Sequence, residues 1–89
     1  MIIGRIIGTV ISTRKHQTLV GSKFMIVEPV SQTGTNRIVA VDNIGAGIGE
    51  LVLVATGGAA RTGCGNKEAP VDALVVGIVD DPGKINIAE

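Results

Sequence analysis

Aromatic residues are almost missing from this 89-residue chain: Phe24 stands alone, with no Trp and no Tyr. Proteins that hold single-stranded nucleic acid stack bases on aromatic side chains along a positive groove. Here eight basic residues are cancelled by eight acidic ones, so the electrostatic attraction for nucleic acid or an anionic membrane is lacking as well. Cys64 is the only cysteine, which rules out an internal disulfide and fits a reducing compartment. His16 is the only histidine; together with Cys64 it offers at most two soft ligands, too few for a closed zinc site. No apolar run reaches membrane-spanning length. The opening MIIGRIIGTVIST carries Arg5 within it and no basic lead-in, the pattern of a strand rather than a signal peptide. A cytosolic protein is expected.

What is present is aliphatic. Hydrophobic residues make up 45% of the chain, and a chain this short buries only roughly 60–65% of the surface its unfolded form exposes. The surplus points to a second burial surface, most simply contact with copies of itself. Because the apolar mass is rich in Ile and Val, strands are favoured over helices. Five are expected, at 2–13, 23–30, 37–42, 50–56 and 72–80, with one short helical turn at Ala59–Arg61 and a short last strand over Lys84–Ala88. Gly4 and Gly8 lie inside the first strand, where glycine marks a bend or a close backbone approach. The predicted fold class is all-β, a small closed or partly closed five-stranded barrel.

The densest glycine pattern is DNIGAGIGE, residues 42–50. A dinucleotide loop needs G-x-G-x-x-G between a strand and a helix, so that the helix N-terminus meets the phosphates. Gly45, Gly47 and Gly49 have G-x-G-x-G spacing, and a strand is expected next, so a tight turn that needs positive φ or close backbone approach is the better reading. Gly58 and Gly63 have the spacing of a phosphate-binding P-loop, but Cys64 stands where Lys is required. The carboxylate pairs Asp80/Asp81 and Glu68/Asp72 flank turns, where acids are common. Arg14-Lys15-His16 reads as a solvated basic loop. Neither Lys23 nor Lys84 is placed in a hairpin tip as the modifiable lysine of a carrier domain would be. No catalytic set, metal or cofactor is expected.

Three segments, TRKHQTLVGSKFMIVEP, AVDNIGAGIGELVLVATGGAAR and APVDALVVGIVD, together resemble the EutN/CcmL family, the vertex proteins of bacterial microcompartment shells in carboxysomes and metabolosomes. The likeness covers nearly the whole chain. It departs at Gly58, where Ser is common, and in the loop 62–68. The resemblance implies an oligonucleotide-binding-like (OB-like) barrel with one short helical turn. It implies assembly as a cyclic homopentamer that meets hexameric and trimeric shell proteins and caps fivefold corners of a shell in the bacterial cytoplasm. The axial loop would be Gly45, Ala46, Gly47, Ile48 and Gly49, its glycines permitting close approach of five backbones. Asp42, Glu50 and Arg61 fall in the family's core segment and are expected to act structurally, by pairing or by bonding loop amides. Arg14, Lys15 and His16 are the candidate contact with neighbouring tiles. The rival is a co-chaperonin-like ring protein, another small β-barrel, which would grip its partner with a long mobile loop; the segment 62–68 is short for that.

Overall fold

A computed structural model of the chain describes residues 1–11, 17–30, 37–65, 70–80 and 82–86. Strands β1 (Ile2–Val10), β2 (Lys23–Pro29), β3 (Ile38–Asp42), β4 (Leu51–Thr56) and β5 (Ala73–Val79) close into a barrel in the order β1-β2-β3-β5-β4. All neighbours are antiparallel except β3 and β5, which run parallel and meet only at Val41↔Leu74 and Asp42↔Val75. The five expected strands are all present, with ends shifted by no more than a few residues. The barrel is strongly staggered. Following partners from Val10 leads through Phe24, Val41 and Leu74 to Ala55 on β4, one residue beyond Val54, which pairs with Ile2 at the opposite end of β1. Closure of so few strands demands this kind of shear.

The interior is correspondingly narrow and is filled by compact side chains. Ile6, Met25, Val27, Ala40, Val52, Val54, Ala73 and Val75 form one cluster with Ala46, which reaches in from the loop after β3. A narrow barrel filled this way leaves little use for aromatics, so their scarcity and the fold agree. Period-2 burial is clear on β2, where Met25, Val27 and Pro29 face inward. On β4 it is lost, because Leu51 and Ala55 are buried as well as Val52 and Val54.

Helix α1 (Gly58–Gly63) covers the outside of β4 and β5. It is longer than the single expected turn. Its Ala60 is fully buried in a second cluster with Val41, Val71 and Leu74, against which Leu19, Phe24 and Cys64 pack. Two register shifts leave Ile7 and Val76 as extra residues, on β1 and β5 respectively. Such bulges re-aim side chains, and both of these aliphatics face outward.

The expected last strand is not found among the described residues. Pro82–Lys84 is a 3-10 turn, and Ile85 and Asn86 belong to no strand. Lys84 Nζ turns back to Asp80 Oδ1 at 3.0 Å, and Pro82 has no N–H to give to a ladder. The basic segment Arg14-Lys15-His16 lies outside the described residues.

Gly4 does mark a close approach. A Cβ there would collide with Cγ1 of Val27 and come within 3.0 Å of the Glu28 carbonyl oxygen. Gly4→Val is therefore expected to destabilise the chain by about 1–3 kcal/mol, the usual scale of overpacking, read as a lower urea midpoint. Gly21→Ala leaves Cβ in open space but at φ 87, so its penalty is local strain alone.

Candidate functional site: the glycine loop at the barrel mouth

The segment from Asn43 to Glu50 closes one end of the barrel. It is organised by the carboxylate of Asp42, the last residue of β3, which is 2% exposed. Asp42 Oδ1 accepts the Ile44 amide at 3.2 Å, and Oδ2 accepts those of Gly45 at 3.2 Å and Ala46 at 2.9 Å. Aspartate commonly bonds backbone a few positions on in this way. A charged acceptor strengthens each bond. The pull of the three amides reverses the chain at Gly45, whose φ of 88 suits glycine, and delivers Ala46 into the core.

The second half of the loop is a tight turn. The Glu50 amide donates to the Gly47 carbonyl at 3.1 Å, and Gly49, at the third turn position, has φ 90, as a type II turn requires. Glu50 Oε1 reaches back to accept the Gly47 amide at 2.6 Å. β1 supplies the outer anchors. The Gly49 amide donates to the Ile6 carbonyl at 2.8 Å, the Ile6 amide donates to the Glu50 carbonyl at 2.9 Å, and Arg5 Nη1 donates to the Gly49 carbonyl at 2.6 Å.

Asp42 and Glu50 thus serve the same loop from its two ends. Arg61 stands apart, exposed on α1. Among the described residues its guanidinium makes no hydrogen bond or ion pair; its carbonyl accepts the Cys64 thiol at 3.1 Å. Arg5 is the participant that sequence reasoning missed. Its signal was available: a single charge in an otherwise apolar strand needs an outward direction and often a partner.

Chemically, the loop spends its donors on itself. The amides of residues 44, 45, 46, 47, 49 and 50 all have acceptors within the chain, so it does not present the array of free N–H groups that cradles a phosphate. The next element is β4, without a helix dipole. Ile44 and Ile48, by contrast, are held outward and exposed.

Removing the Asp42 carboxylate orphans three amides, one of them buried. Asp42→Ala is expected to cost about 3 kcal/mol or more, the sum of lost charge-assisted bonds and unpaired donors, and to lower Tm by more than about 10 °C in a chain of this size. Glu50→Gln, which keeps an acceptor, should cost about 1 kcal/mol. Arg61→Ala should leave the Tm of the isolated subunit unchanged. Thermal unfolding of the three variants side by side checks the ranking.

Comparison with known proteins gives these features a context. The family model described as ethanolamine utilisation protein EutN/carboxysome matches residues 1–80. The bacterial microcompartment shell vertex protein GrpN of Rhodospirillum rubrum is 42% identical over 90 residues, spanning 97% of this chain and all of GrpN. The solved pentameric shell protein GrpN superposes with a TM-score of 0.79 at 41% identity, over 91% of this chain and 95% of that one. A solved carboxysome subunit, CcmL, superposes with a TM-score of 0.83 at 43% identity, over 99% and 92%. Sequence likeness and barrel geometry agree over most of the chain, and the chain belongs to the EutN/CcmL family.

Proposed function

We propose that the chain is a structural vertex component of a bacterial microcompartment shell, working as a homopentamer that caps the shell's fivefold corners. The observation that carries this reading is the end-to-end likeness to GrpN, a vertex protein by name whose solved form is pentameric. A sheet of hexagonal tiles is flat, and only fivefold positions let it close. Such a role asks for a rigid wedge with apolar flanks and no chemistry. The barrel has outward aliphatics on several strands, and both loop carboxylates are committed to backbone amides.

In the ring, the loop Gly45-Ala46-Gly47-Ile48-Gly49 faces the axis. The small residues there keep five backbones clear of one another, and the bonds from Asp42, Glu50 and Arg5 hold the opening at one width. The rim contact is assigned to Arg14, Lys15 and His16 on their chemistry alone, since basic side chains can bond carbonyls or acids of adjoining hexameric or trimeric tiles. The shell sits in the bacterial cytoplasm, and the protein's part in it is structural rather than enzymatic.

Native mass spectrometry of the purified chain at micromolar concentration should give five-subunit particles, with roughly 800 Å² buried per partner at each contact. A persistent monomer or dimer would end the ring reading. In cells, deletion should leave elongated or open shells while the facet proteins still assemble. Replacing Arg14 and Lys15 with Ser should keep the pentamer and reduce its incorporation into shells. Unchanged incorporation would remove the rim assignment and leave the corner role intact.

A further inference from the structure

Two recesses on the surface have matching character and opposite charge. The first is a groove of about 440 Å³ between the end of β1, the start of β2 and the glycine loop, lined in part by Val10, Ile11, Phe24 and Ile48, with Lys23 at its side. Ile11 is 90% exposed and Ile48 65%, a large apolar exposure for a soluble chain. The second recess lies between β3 and the start of β5, lined by Ile38, Val39, Thr56, Gly57, Asp72 and Ala73. Val39 is 52% exposed there.

Charge separates the two. Lys23 and Asp72 are both exposed, and among the described residues neither makes an ion pair, whereas Arg37 is paired with Glu28 and Lys84 with Asp80. Topology separates them too. Gly8 pairs with Ile26, and Ile26 with Val39, so β2 lies between the two faces. On its far side β1 is paired with β4 only from Ile2 to Arg5, and β3 is paired with β5 only at Val41 and Asp42. Among the described residues, Gly8–Val10 and Ile38–Ala40 are therefore strand segments with a partner on one side only, open in opposite directions. Open apolar edges of this kind invite association.

We propose that the groove is one half of the contact between copies of this chain, and that the Val39–Asp72 recess of the next copy is the other half. Because the two halves differ and face opposite ways, the contact is head-to-tail. It propagates around a ring instead of stopping at a twofold dimer. Apolar area supplies the attraction, and Lys23 against Asp72 of the next copy sets the register. The glycine loop, already braced by Asp42, Glu50 and Arg5, presents Ile48 to the neighbour without having to be ordered first. This assignment rests on the ring reading above and adds the surfaces that make it.

The test uses the full chain. Ile11→Asp and Val39→Asp alter exposed positions and should each abolish the pentamer in native mass spectrometry while circular dichroism still reports the folded barrel. On a Cys64→Ser background, Lys23→Cys combined with Asp72→Cys should give, on mild oxidation, a covalent ladder up to five subunits; neither single cysteine should. A wild-type chain that is not a pentamer overturns the ring and this contact together. A pentameric wild type whose Ile11→Asp or Val39→Asp variant is still pentameric, or whose double-cysteine variant gives no ladder, overturns this contact and leaves the ring standing.

Discussion

A carboxylate buried beneath its own loop is the constraint on which the rest of this structure turns. Asp42 ends β3 facing a barrel mouth that backbone would otherwise leave open, and it holds three successive amides. The cost of burying a charge is offset only when hydrogen bonds replace water, and here the loop amides do so. In return the loop is folded back sharply enough for Ala46 to complete the core. The seal and the shape of the outer surface near it share one cause.

That cause extends to β1. The loop does not end until Glu50 has bonded Gly47 and the main chain of Ile6 has paired with residues 49 and 50. These bonds carry the β1–β4 ladder, which ends at Arg5↔Leu51, one step further toward the mouth. Arg5 adds a charge-assisted bond to the Gly49 carbonyl from outside. Interior packing, ladder and loop thus brace one another, and the segment behaves as part of the barrel wall.

Neutral charge and excess aliphatic surface form a second theme. A barrel this narrow takes Ala, Val, Ile and Met inside, and further Ile and Val remain outside on β1, β3 and β5. A free-standing protein of this composition would be prone to non-specific association. In the proposed ring, placement of that apolar surface on distinct faces would turn the liability into directed assembly, and a net charge of zero removes long-range repulsion between identical subunits.

Much of this was legible in the residues. β-Branched runs divided by turn chemistry mark all five strands, because strand preference and turn preference are local properties. The glycine pattern after Asp42 reads as a turn for the same reason: positive φ at Gly45 and Gly49 is a demand of the local backbone, and Asp42 acts within four positions of itself. The sequence by itself therefore determined the element types, the barrel class, the tight loop and the poverty of chemical groups. Tertiary structure alone decided that β5 inserts between β3 and β4, that Arg5 meets a carbonyl 44 positions away, that Arg61 joins neither carboxylate, and that Pro82–Lys84 turns instead of leading into a strand. Each of these depends on which distant segments the staggered closure of the barrel brings side by side, and no preference written within a few neighbouring residues encodes that.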